Sequence, residues 1–100
     1  MLDAIAQLPT DQIAKICRTN HVQELSVFGS ALTERFGVSS DLDFLVVFEP
    51  DAVIGFLALA KLQRELATLT KRQVDLVPKA GLKAAIRDAV LASAQVIYAA

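Results

Sequence analysis

Three carboxylates stand where strands favour branched apolar residues. Asp41 and Asp43 open the run DLDFLVV, and Asp75 lies inside QVDLVP. Residues two apart on a strand project to the same side, with Cα atoms roughly 6.5–7 Å apart. Asp41 and Asp43 can therefore converge on one point at the strand's start, and Asp75 joins them if its strand is a neighbour. Crowding carboxylates together is costly, because burial and like charge both oppose ionisation. A divalent cation removes that conflict. Mg²⁺ takes oxygen ligands at about 2.0–2.1 Å and leaves positions for water and phosphate oxygens. One or two such ions can hold the attacking and leaving oxygens of a phosphoryl or nucleotidyl transfer.

A second feature precedes the acids. Gly29-Ser30 follows the apolar run ELSVF, and ten residues separate Ser30 from Asp41. Glycine lets a backbone approach a phosphate closely, free N–H groups at a helix start attract anions, and the serine hydroxyl adds a donor. A phosphate cradle and a carboxylate cluster are thus within one loop of each other.

The elements that must position these residues are legible from pattern. Residues 1–8 read as a short helix ending before Pro9. Thr10 or Asp11 is a suitable cap for a second helix, with Ile13, Ile16 and Cys17 on one face and Asn20 as its stop. Residues 23–28 read as a strand, ALTERF as one or two helical turns, and Gly37 with Ser39 and Ser40 as a loop. Leu42 to Phe48 is a strong strand, rich in branched and aromatic residues, and Glu49-Pro50-Asp51 breaks it. Residues 52–70 read as a helix with Leu59, Leu62, Leu66 and Leu69 on one stripe and Lys61, Arg64 and Glu65 largely off it. QVDLV is a third strand, stopped by Pro78. From Gly81 to Ala99 the spacing of Leu82, Ala85, Ile86, Val90, Ala94 and Ile97 predicts a last helix. The expected class is α/β (α+β): a small mixed sheet of about three core strands flanked by helices.

Composition narrows the function classes. One hundred residues, 54% of them hydrophobic, suggest one domain spanning 1–100 with apolar surface left for a partner. A net charge of −1 offers no broad basic face for nucleic acid. A lone cysteine excludes an intramolecular disulfide, and Cys17 reads as a buried structural thiol. No apolar run approaches the roughly 18 residues of a membrane span, and MLDAIAQLP has no secretory pattern, so a cytoplasmic location is expected. Taken singly, the motifs have ordinary readings: strand-edge acids are commonly solvated, Gly-Ser is a common turn, and His21 reads as a structural residue at a helix-to-strand junction. No calcium loop and no GxxxxGK[ST] phosphate loop is present. The combination of Gly-Ser, ten residues, Asp-x-Asp and a later strand Asp is far more specific than its parts.

That combination, Gly29-Ser30 followed by Asp41-Leu42-Asp43, resembles the signature of the DNA polymerase β-like nucleotidyltransferases, and the chain's size matches their minimal nucleotidyltransferase (MNT) branch. The resemblance covers nearly the whole chain and implies the palm-like nucleotidyltransferase fold. By position, it implies that Gly29 and Ser30 hold a nucleotide triphosphate. It further implies that Asp41, Asp43 and Asp75 bind one or two Mg²⁺ ions, with Asp75 also helping to deprotonate the acceptor. The implied reaction is attack of a hydroxyl on the α-phosphate of ATP. Members of the branch are commonly antitoxins of HEPN-type RNase toxins, and related ones transfer AMP to a tyrosine of that toxin. The chain departs from the family at Thr33, where many relatives carry arginine. Arg35 is the nearest substitute for a triphosphate contact, and Lys61, Lys71 and Arg72 are other candidate cations.

Two other functions compete with this one. A non-catalytic module would neutralise a partner by covering it with apolar surface. A transferase for a small molecule, such as an aminoglycoside, or for an RNA end would need extra domains to hold its acceptor. With 100 residues, the acceptor surface must instead come from a partner protein or from a second copy in a homodimer.

Overall fold

The computed structural model describes residues 8–32 and 41–100, with the Ser30 side chain outside that description. The expected helix over 1–8, the turns of ALTERF beyond Leu32, the Gly37 loop, Thr33 and Arg35 thus lie outside the described residues.

The described chain runs α1 (Thr10–Thr19), β1 (Val22–Phe28), β2 (Leu42–Phe48), α2 (Phe56–Thr70), β3 (Val74–Pro78), α3 (Ala84–Ser93) and β4 (Gln95–Ala99). Short 3-10 turns occupy Gly29–Leu32 and Lys79–Gly81. The strands form one sheet in the order β3-β2-β1-β4. β1 is antiparallel to both neighbours, whereas β2 and β3 are parallel. A parallel pair needs a long crossover, and α2 supplies it. None of the described helices is long and apolar enough to cross a membrane.

The pleat sorts β2 into two faces. Leu42, Phe44 and Val46 are buried in the core. They meet Leu25 and Val27 of β1, Ile13 and Cys17 of α1, and Leu62 and Leu66 of α2. Asp43, Leu45 and Val47 alternate with them and so face the other way. The leucine stripe of α2 forms as its spacing predicts, with Leu62 and Leu66 fully buried and Leu59 and Leu69 packed against the core's margin.

Three boundaries differ from expectation. Neither Thr10 nor Asp11 caps α1 through its side chain. Pro9 takes the N-cap place, and its carbonyl accepts from the Ile13 N–H at 2.9 Å. Asp11 falls in the first turn, where its charge meets the positive end of the helix dipole. α2 starts at Phe56 rather than 52, because Gly55 holds an extended conformation before it. The largest change is at the end: the expected helix over 81–99 is α3 followed by a strand. Ala94, with φ −62° and ψ 141°, leaves helical geometry, and QVIYA pairs with β1 instead. None of the residues of α3 is buried, so its apolar spacing does not mark a core face.

Two side chains at the end of α1 give local tests. Asn20 ends the helix where expected, and its Nδ2 donates to Ile16 O and to Glu65 Oε1, each at 2.8 Å. The second bond ties α1 to α2. Asn20→Ala should cost about 1–2 kcal/mol of unfolding free energy in denaturant titration, since both acceptors lose a sheltered donor. Cys17 is fully buried, and burial pushes its thiol up to about 12, a rise only partly offset by the Arg18 charge. The thiolate is the reactive form. Cys17 should therefore resist iodoacetamide in the folded chain at pH 8 and react within minutes once denatured, as mass spectrometry would read.

Candidate active site

The three acids gather at one end of the sheet. β2 and β3 run parallel in a register that makes Asp43 and Asp75 direct partners, while Phe28 at the end of β1 partners Asp43 from the other side. Phe28, Asp43 and Asp75 thus form one row across three strands spaced about 4.8 Å apart, their side chains on a common face. Asp41 stands two residues before Asp43, so it tends to the same face. The Leu42 N–H donates to Gln73 O at 2.9 Å, which fixes the start of β2 against the approach to β3. Asp75 and Asp41 are exposed and Asp43 is half-buried.

Electrostatics agree with this crowding. Burial first, then the charges of Asp75 and Asp41, raise the Asp43 carboxyl above its ordinary value. Against Asp43 lies Gly29, which turns the chain away from β1 with φ +76°. A Cβ built on Gly29 would overlap Asp43 Oδ2 and stand 3.2 Å from its Cγ. Only a residue without a side chain lets the backbone pass this close to the carboxylate. Ser30 follows within the 3-10 turn, and Arg35 lies outside the described residues.

The donor set suits a hard cation. It consists of carboxylate oxygens, and mutual repulsion at Asp43 is what a positive charge would relieve. As they stand, no three His, Cys, Asp or Glu among the described residues are gathered closely enough to enclose a metal ion. Asp43 lies against Gly29, and Asp41 and Asp75 are among the residues that border a cleft beside α2.

That cleft, of about 710 Å³, lies between α2 and β3. One wall is Phe56, Leu59, Ala60, Gln63, Arg64 and Ala67. Gln73, Asp41 and Asp75 border it from the strand side. The sequence reading missed this wall, although the signal was there: these α2 positions recur at three and four, a second stripe beside the leucines.

A mixed four-stranded sheet with helices packed on it, and acids at the start of its parallel pair, defines a nucleotidyltransferase fold. The sequence profile described as "Nucleotidyltransferase domain" matches residues 10–97, and the chain belongs to that family. No curated protein sequence matches it. Among solved structures, a chain described provisionally as a minimal nucleotidyltransferase superposes with TM-score 0.76 at 29% identity, covering 94% of this chain and 95% of that one. A chain from a toxin–antitoxin crystal structure with AMP-PNP gives TM-score 0.75 at 23% identity, covering 93% and 75%. A third comes from the complex of a tri-AMPylated Shewanella oneidensis HEPN toxin with its MNT antitoxin. It gives TM-score 0.66 at 22% identity, covering 91% and 70%. The fold is therefore shared with minimal nucleotidyltransferases of the MNT kind.

Proposed function

We propose that this chain is the antitoxin of a cytoplasmic toxin–antitoxin pair, and that it transfers AMP from ATP to a hydroxyl of its partner. The partner is a HEPN-type RNase toxin, and the acceptor is a tyrosine. The observation that carries the reading is the row Phe28–Asp43–Asp75 across three strands, with Gly29 against the central carboxylate. The complexes whose fold it shares support the partner class, one with AMP-PNP and one with an AMPylated toxin.

Gly29 and Ser30 take the triphosphate, since the glycine permits close backbone approach, and Arg35 adds a cation to it. Asp41, Asp43 and Asp75 are the residues that would hold Mg²⁺, which when bound supplies positive charge to the phosphate oxygens. Asp75, the exposed end of the row, accepts the acceptor's proton. The acceptor oxygen bonds to the α-phosphorus, the bond from that phosphorus to the bridging oxygen breaks, and pyrophosphate leaves with the electron pair. Catalysis here is chiefly positioning and charge compensation.

The test is direct. With Mg²⁺ and α-labelled ATP, label should appear on a HEPN toxin encoded beside this chain and abolish its RNase activity. Absence of label with every metal and nucleotide tried rejects the transferase.

A second reading has its own support. Val53, Phe56 and Leu57 are 96%, 82% and 82% exposed, and such clustered apolar exposure commonly marks an interaction surface. A chain that neutralised its partner by contact alone would use that surface and dispense with the acids.

A further inference from the structure

We propose that the end of the sheet away from the carboxylates is a self-association surface, on which a second copy of this chain docks by two-fold symmetry. Lys79 and Arg87 of one copy meet Glu49 and Asp51 of the other. The inference goes beyond the transferase reading and does not depend on it.

The surface is built where β2 and β3 end. Phe48 closes β2 five residues after Asp43, roughly 16–17 Å along the strand, and Pro78 closes β3. These two residues line two neighbouring hollows. One, of about 420 Å³, opens between the strand ends and α3; Val47 and Leu91 extend its apolar lining, and Lys79 and Arg87 supply its charges. The other, of about 240 Å³, lies toward the start of α2, where Ile54 and Phe56 join Phe48 and Pro78. Apolar exposure continues beside both. Val53, Phe56 and Leu57 are largely exposed, and Ile86 and Leu91 of α3 are 49% and 38% exposed. α3 itself gains from cover: it has ten residues, none of them buried, and an isolated helix of that length is marginal in water.

Charge decides what covers it. Lys79 and Arg87 are exposed, and Arg87 Nη2 donates to Leu82 O at 3.3 Å, which holds the guanidinium beside the first hollow. Asp88, the acid of α3, is not part of that lining. Glu49 and Asp51 are also exposed, and in the chain they stand between Phe48 and Val53. One end of the sheet thus carries an apolar hollow flanked by cations and, next to it, an apolar segment flanked by acids. A two-fold contact brings each against its complement twice, because residue i meets j and j meets i. Apolar burial supplies the attraction, and the opposite charges fix the register and disfavour other pairings. A second copy brings both halves of that pattern. The carboxylates, at the other end of the strands, stay open in the dimer.

Sedimentation equilibrium of the full chain tests this. Wild type should pass from monomer to dimer as concentration rises through the micromolar range, and added salt should weaken the dimer. Lys79→Glu with Arg87→Glu, and separately Glu49→Lys with Asp51→Lys, should each raise the dissociation constant by at least about tenfold. Mixing the two variants should restore association, since both contacts of the mixed dimer again join opposite charges. All four positions are exposed, so both variants should keep the wild-type circular dichroism spectrum. A wild type that stays monomeric at every concentration tried overturns the proposal. So does a dimer indifferent to the reversals, which would place association at another surface such as β4, and so does a mixture that stays apart. AMP transfer to the toxin is measured separately, and its failure would leave the dimer standing.

Discussion

Asp43→Asn should lower AMP transfer by about 10²–10³-fold and, at neutral pH, raise the thermal stability of the chain. The two effects share a cause. Asp43 is the centre of the row, held against Gly29 on one side and partnered with Asp75 on the other. An amide keeps the shape but lacks the charge that, in the mechanism proposed above, would hold a cation against the phosphate. The same charge strains the folded chain, because burial, Asp75 and Asp41 all disfavour it. The folded carboxyl therefore keeps its proton to higher pH than the unfolded one, whose ordinary value is 3.8. Stability consequently falls as pH rises through the interval between 3.8 and the folded value. The melting temperatures of Asp43→Asn and wild type should coincide well below that interval and separate above it, the variant being higher. Calorimetry at acid and neutral pH reads this, and a wild type that melts higher at neutral pH would contradict it. The variant also divides the two functional readings. A partner neutralised by surface contact stays neutralised by Asp43→Asn; a partner that must be modified escapes.

Gly29→Ala is expected to cost about 2–3 kcal/mol. Left-handed backbone at an L-residue costs about 1–2 kcal/mol, and the new methyl group must also displace Asp43 Oδ2. For a chain of this size each kcal/mol lowers the melting temperature by about 4–8 °C. A double-mutant cycle separates the two contributions. In an Asp43→Ala background the overlapping Oδ2 and the Cγ are gone, and the methyl group stands 3.5 Å from the Cβ at position 43, an ordinary contact. Gly29→Ala should there cost only the backbone share. Equal losses in both backgrounds would mean that glycine and carboxylate are not in contact.

Much of this was legible in the sequence, for identifiable reasons. β2 was read with its observed bounds, because branched and aromatic residues fill it up to the Glu49-Pro50 break. The acids stood out because a strand position that takes Asp is paying for something other than packing. β4 was not legible. QVIYA follows an alanine-rich helix without a glycine or proline between them, so a helical period could be drawn straight through Ala94 to Ile97. Its strand state is decided by the open edge of β1, which is a tertiary fact. The cleft escaped for a related reason: Phe56, Gln63 and Arg64 make no motif, and they become a wall only through the placement of α2 beside β3. Asn20–Glu65 likewise joins residues 45 apart, a pairing that no local window contains.

The last strand has a practical corollary. β4 is bonded to β1 along one side and, among the described residues, ends the sheet on the other. It carries no charge and no proline, the usual deterrents against annexation by a foreign strand, and Val96 on it is 54% exposed. Purified material held at high concentration thus has a seam along which chains can adhere edge to edge, and a lysine at that rim is the mildest remedy for turbidity.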